Sequence, residues 1–198
     1  MYQYLKRLAD VVLAGLGIIV LCPLLIGLGM AVKRSSPGPA LFRQQRLGAG
    51  GKPFTMLKFR TMRVDAPPDM PTHLLRDPYT HITRVGAFLR MTSLDELPQL
   101  WNIIVGDMSI VGPRPALWNQ ADLIAERAKY GANDIRPGLT GLAQINGRDE
   151  LPIEQKAAFD GEYRRTMSIV VDAVILWRTL WQALAAKGVS EGGPGGLA

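Results

Sequence analysis

From Val11 to Val32 the chain runs for 22 residues without a single charged side chain. As a straight helix this run reaches about 33 Å, enough to cross the hydrocarbon core of a bilayer. Such an element must be covered by lipid or protein, so the fold has to be organised around it. Pro23 sits near its middle, where it removes one backbone hydrogen bond and bends a helix. Basic residues flank both ends: Lys6 and Arg7 before, Lys33 and Arg34 after, then Arg43 and Arg46. Positive charge marks the cytoplasmic side of a membrane segment, and here both flanks carry it. A helix-break-helix that enters and leaves by one face satisfies both flanks. An ordinary single-pass anchor with a tolerated proline is the competing reading, and the residues alone leave the two even. A cleaved signal peptide fits poorly, because the run is long and no small-x-small site follows it.

At 198 residues the chain suffices for one domain with a real core. Lys and Arg outnumber Asp and Glu by 23 to 17, a formal charge of +6 that favours anionic partners. Cys22 is the single cysteine, so no intrachain disulfide forms. His73 and His81 are too few and too widely spaced for a zinc site.

Past the apolar run, Ser35-Ser36-Pro37-Gly38-Pro39 is a turn-forming linker. Ala40–Arg46 and Pro53–Met62 bracket Gly48-Ala49-Gly50-Gly51 and read as a β-hairpin. The glycine-rich turn lacks the lysine-serine/threonine ending of a P-loop, so it is a turn and not a phosphate cradle. Residues 66–71 form a proline-rich loop, and short helices are expected between Ile82 and Asp107. Ala116–Tyr130 reads as a helix with Leu117, Ala121, Ile124 and Ala128 on one side. Further helices are expected over Ile153–Met167 and Ile169–Lys187. In the last, Val170, Val174, Trp177, Trp181 and Leu184 fall at helical spacing, which suits either a core stripe or a helix in the headgroup layer. The expected fold is α+β and mostly helical: a membrane segment over 1–34, one catalytic domain over 35–190 and a glycine-rich disordered tail over 191–198.

The chemistry is concentrated in Leu89–Asn102, which carries Asp95-Glu96. Ser93 and Glu96 have capping-box spacing, and Asp95 in a first helical turn is stabilised by the helix dipole, so the acidic pair alone needs no function. Its surroundings change the balance. Lys58 and Arg60 lie on the second hairpin strand, and Arg90 precedes the pair. Arg114, Arg136 and Arg148 sit on loops stiffened by proline or glycine. Guanidinium groups held on rigid loops bind phosphate oxygens bidentately.

The strings KFRTM, LRMTSLDELPQLWNIIVGDMSIVGPRP and RPGLTGLAQINGR, in that order and spacing, resemble the bacterial sugar transferase family, the monotopic phosphoglycosyl transferases. The likeness runs from near Lys6 to about Glu191. It implies a re-entrant membrane helix broken at Pro23 and a catalytic domain on the cytoplasmic face of the bacterial inner membrane, against inner-leaflet lipids. It implies transfer of a sugar-1-phosphate from a UDP-sugar to polyprenyl phosphate, dependent on Mg2+. Asp95 would be the nucleophile and Glu96 the magnesium ligand, with Lys58, Arg90 and Arg114 at the phosphates. Arg136, Gln144 and Arg148 match the block expected near the nucleotide. The sequence departs from the family's common pattern at Cys22-Pro23, where Ser-Pro is usual, and at Ala116, where Glu often stands. The rivals are a membrane-tethered basic scaffold and a nucleotide-sugar hydrolase. No nucleic-acid module is recognisable, and the aromatics are not interleaved with basic residues as stacking platforms require.

Overall fold

The computed structural model describes residues 2–66, 80–147 and 151–184. The first element is one helix, α1 (Tyr2–Ser35), continuous through Pro23. The expected break does not interrupt it. A proline costs one hydrogen bond of the ladder without ending a helix whose neighbours hold it. Those neighbours lie on both sides of Pro23. Ala14, Ile18 and Leu21 pack with Phe54, Met56, Leu100 and Ile103. Leu25, Leu28 and Val32 pack with Phe59 and Leu89. The opposite face of α1, from Leu8 and Val12 through Ile19, Val20 and Ile26 to Met30, is exposed. Of its most apolar 18-residue window only 6% is buried inside the molecule, so the rest must meet lipid, and the chain is membrane-associated.

The hairpin forms as expected, β1 (Leu41–Leu47) pairing antiparallel with β2 (Pro53–Phe59). Alternation along β2 turns Phe54 and Met56 inward, and Lys58 continues that face. Two short helices follow, α2 (Arg84–Met91) and α3 (Gln99–Val105), joined by a 3-10 turn at Leu94–Glu96. Gly86 of α2 is required by close approach: a Cβ there would lie 1.9 Å from the Thr61 carbonyl oxygen. A feature absent from the sequence reading is a two-stranded parallel sheet, β3 (Ser109–Val111) with β4 (Gly138–Thr140). Three-residue strands are too short to show a period.

The remaining helices are α4 (Ala121–Ala128), α5 (Leu142–Ile145), α6 (Ile153–Thr166) and α7 (Ile169–Leu184). Helix α4 starts later than expected and buries Leu123 and Arg127 rather than an Ala121–Ala128 stripe. On α7 the buried residue is Ile175, whereas Val170, Val174, Trp177 and Trp181 are exposed. The core-stripe alternative for α7 is thereby excluded. The proline-rich loop beyond Ala66, His73, Arg148 and the tail over 191–198 lie outside the described residues.

The start of α1 is tied down by polar contacts. Asp172, in the first turn of α7, accepts bonds from Tyr2 (2.8 Å), Lys6 (2.6 Å) and Tyr163 (2.7 Å). Asp10 accepts from the Ser109 hydroxyl at 2.7 Å and the Ile110 amide at 3.1 Å. Removing one partner of a buried ion pair leaves an uncompensated charge. Asp172→Asn is therefore expected to cost about 2 kcal/mol, roughly 4–8 °C in thermal unfolding, by leaving Lys6 with only its longer 3.8 Å contact to Asp10. An unchanged melting temperature in detergent would show that this anchor contributes nothing.

Candidate active site

The turn bearing the acidic pair sits between the two apolar clusters that hold α1, with Leu94 in one and Leu100 in the other. Ser93 does not cap it. Its backbone is left-handed (φ 56°) and its side chain makes no capping bond. The capping-box account of Ser93 and Glu96 therefore fails, and Glu96 is engaged elsewhere. Its Oε1 accepts from Lys58 Nζ at 2.8 Å and from Arg114 at 3.2 Å. Pro98 immediately precedes α3, where its missing N–H costs nothing.

The two neighbouring carboxyls thus have opposite environments. Asp95 is buried, and among the described residues it accepts no hydrogen bond. Burial raises its pKa to about 6, with Glu96 adding to the rise and Lys58, Arg90 and Arg114 opposing it. Burial also works against ionisation of Glu96, but Lys58 and Arg114 outweigh it and hold the carboxyl down at about 2. Adjacent acids pushed apart in this way take different roles. Glu96 is a fixed anion clasped by two cations, whereas Asp95 is uncommitted and ionises near neutrality.

Arg90, from the last turn of α2, donates its Nε to the buried Thr61 hydroxyl at 2.9 Å, and its charge acts on Asp95. Lys58, Arg90, Arg114, Asp95 and Glu96 therefore converge. Arg60 does not join them: its guanidinium donates to the carbonyls of Ser36 and Pro37, fastening the exit of α1 to β2. Arg136 donates to the Gly106 carbonyl at 3.0 Å. It lines a separate cavity of about 530 Å³ with Arg7, Lys52 and Asp107, at the hairpin tip. Along β2 that tip, at Pro53, stands about 17 Å from Lys58. Gln144 lies on α5 with both amide atoms buried and without a partner among the described residues. Its Oε1 crowds Gly141, where a Cβ would approach to 2.7 Å. Two residues the sequence reading passed over bear on the site. Arg127 of α4 and Asp160 of α6 form a buried ion pair at 2.7 Å behind Arg114.

No group of three or more acidic, histidine or cysteine side chains poised to hold a metal is formed among the described residues. Magnesium is nonetheless compatible with this donor set. It is commonly held by one or two carboxylates, waters and the substrate's own phosphates, and Asp95 and Glu96 supply two carboxylates.

The sequence profile described as bacterial sugar transferase matches residues 1–186. The chain is 46% identical to the UDP-glucose:undecaprenyl-phosphate glucose-1-phosphate transferase of Caulobacter vibrioides, across 88% of this chain and 68% of that protein. It is 42% identical to the Escherichia coli K12 protein of the same name, across 93% of this chain and 41% of the relative. It is 36% identical to the undecaprenyl-phosphate galactose phosphotransferase of Salmonella typhimurium, across 94% of this chain and 42% of the relative. The chain thus spans about two fifths of the longer relatives, and its matched part contains the membrane helix, the hairpin and the acidic turn. A match over nearly the whole chain, together with relatives of this similarity, shows that the chain belongs to the bacterial sugar transferase family.

Proposed function

We propose that this chain transfers a sugar-1-phosphate from a UDP-sugar to a polyprenyl phosphate such as undecaprenyl phosphate, releasing UMP. The observation that carries the reading is the division of labour between the acids: Glu96 accepts hydrogen bonds from two cations, whereas among the described residues Asp95 accepts none. The printed names of the relatives support the substrate classes.

In this reading an Asp95 carboxylate oxygen attacks the phosphorus that bears the sugar. The bond from that phosphorus to the bridging oxygen breaks, and UMP leaves with the electron pair. An oxygen of the lipid phosphate then attacks the aspartyl phospho-sugar, and Asp95 departs as the carboxylate. Lys58, Arg90 and Arg114 offset the donor's negative charge, which otherwise repels an anionic nucleophile. Magnesium, held by Glu96 and the diphosphate, would supply Lewis-acid stabilisation of the leaving group. The two-step route suits a donor arriving from water and an acceptor confined to the bilayer.

The packing of α1 supports a monotopic placement, with the helix held along the globular part and not crossing the bilayer away from it. Both halves of α1 pack on the same globular part, which a straight crossing that carried its second half away would not allow. The globular part then lies on the cytoplasmic face, consistent with basic residues at both ends of α1. The exposed Trp177 and Trp181 of α7 suit the headgroup layer of the same leaflet.

The test is release of UMP from UDP-glucose and UDP-galactose with and without a short polyprenyl phosphate, in magnesium. Turnover that requires the acceptor and yields a lipid diphosphate sugar is expected. Steady turnover in water without acceptor would identify a hydrolase, and no release from any UDP-sugar would leave a scaffold. The pH profile adds a check. Attack needs ionised Asp95, so UMP release should fall about tenfold per pH unit below about 6. A divalent cation beside Glu96 favours the anion and moves this limb to lower pH. A rate independent of pH between 4 and 7, measured with a slow donor, would exclude Asp95 as the group that titrates.

A further inference from the structure

The loop that carries Arg114 is held in an unusual way. Four consecutive carbonyls each accept a hydrogen bond from a different group. Pro113 accepts from the Gly138 amide at 2.8 Å, and Arg114 from Arg127 Nη1 at 2.9 Å. Pro115 accepts from Arg46 Nη1 at 2.9 Å, and Ala116 from the Leu47 amide at 3.0 Å. Two of these donors are backbone amides of strands, and two are arginine side chains. The carbonyl of Arg114 itself is caught by Arg127.

Arg127 is an improbable residue to bury for packing alone. It is 5% exposed, and its counter-ion Asp160 is 1% exposed. Its Nε and Nη2 both lie 2.7 Å from Asp160 Oδ2, while Asp160 Oδ1 has no partner among the described residues. A buried ion pair of this kind adds little stability over apolar side chains of the same volume, because desolvation offsets the Coulomb attraction. What apolar residues cannot do is aim a third donor. With two N–H groups fixed on Asp160, the planar fork points Nη1 at the Arg114 carbonyl. Arg114 then reaches Glu96 Oε1 at 3.2 Å, on the oxygen that also takes Lys58.

We propose that Arg127 and Asp160 are positioning residues: through the Arg114 carbonyl they set where the Arg114 guanidinium stands beside Glu96, and so the affinity of the site for the donor's diphosphate. The chain of contacts runs from α6 through α4 to the Gly112–Ala116 loop and ends at the acidic pair. It rests on the reading of Arg114 as a phosphate-binding residue. Neither member of the pair touches substrate. A rigid second layer matters because phosphate recognition by a guanidinium is lost with displacements of about 1 Å.

The conservative variant Arg127→Lys keeps the charge but replaces a fork with a point donor that cannot serve Asp160 and the carbonyl at the same time. Three measurements on the full chain decide the matter. In hydrogen exchange, the amides of Gly112, Arg114, Ala116 and Leu117 are expected to exchange at least tenfold faster in Arg127→Lys and Asp160→Asn, with the hairpin unchanged. In kinetics, KM for the UDP-sugar should rise about tenfold with a smaller change in kcat, and Arg127→Lys combined with Arg114→Lys should be less than additive in kcat/KM. A purely structural pair would instead lower kcat in proportion to folded protein, leave KM alone and combine additively with Arg114→Lys. Unchanged exchange of the Arg114 loop, or an additive cycle, overturns the proposal. Absence of turnover in the wild type would sink the transferase reading, while the exchange experiment would still decide whether Arg127 holds the loop.

Discussion

Asp95→Asn is expected to abolish transfer, by at least about a thousandfold in kcat, while making the protein more stable at neutral pH. The amide is nearly isosteric, so packing is retained, but it cannot displace UMP from phosphorus. The stability gain follows from linkage. Asp95 in the folded chain binds its proton more tightly than in the unfolded chain, its pKa standing at about 6 against an ordinary 3.8. Folded stability therefore declines as pH rises from about 4 to about 6, and at pH 7 the ionised group costs about 2–3 kcal/mol. An asparagine incurs none of that ionisation cost. Allowing for the amide's own unmet hydrogen bonds, the variant should gain about 1–2 kcal/mol at pH 7 and lose that advantage below pH 4. A more stable but inactive enzyme marks a residue kept under strain for chemistry. Substantial turnover in Asp95→Asn would rule out the nucleophile.

Glu96→Gln should move stability in the opposite direction. Its carboxylate is the common partner of Lys58 and Arg114, and the neutral amide leaves both cations unbalanced in a partly buried place. Fully buried pairs lose roughly 3–5 kcal/mol on such a change. Lys58 and Glu96 side chains are 16% and 17% exposed and Arg114 is 37% exposed, so water screens part of the loss. A destabilisation of about 2 kcal/mol is expected at pH 7. Because the Glu96 pKa is depressed to about 2, this contribution is present above about pH 4.5 and disappears as pH falls through 2. Activity should drop about a hundredfold or more, since the negative point that fixes Lys58 and Arg114 and would hold magnesium is gone. Two adjacent isosteric substitutions would then lower activity together and shift melting temperature with opposite signs. Shifts of the same sign would mean that the two carboxyls do not divide the roles as described.

What the sequence made legible is what has a local signature. The apolar run, the glycine-marked hairpin and the amphipathic α7 each carry their period or punctuation within a few residues. The acidic pair stood out through its company of basic residues, and Lys58, Arg90 and Arg114 do meet it. Long-range placements were not legible. Ser93 and Glu96 have the spacing of a cap, yet the tertiary pull of two cations on Glu96 and a left-handed Ser93 override it. Arg60 and Lys58 are two residues apart, but β2 ends at Phe59, and Arg60 just past it turns to the carbonyls at the exit of α1. Arg127 was hidden inside a helix whose sequence offers an alanine stripe as its apolar side. Nothing local announces that an arginine will be buried, because its partner Asp160 is 33 residues away. The β3–β4 pair was missed for the same reason: its strands are short, and their pairing is set by the loops they align.

A bond between Asp95 and phosphorus is visible to mass spectrometry of the intact enzyme after brief exposure to a UDP-sugar without lipid acceptor. One equivalent of released UMP and one added sugar phosphate are expected. The adduct should map to the peptide containing Asp95, be discharged by polyprenyl phosphate and be absent in Asp95→Asn. Full acceptor-dependent turnover with neither a UMP burst nor an adduct, even in a rapid quench, would rule out that bond and leave direct transfer between the two substrates.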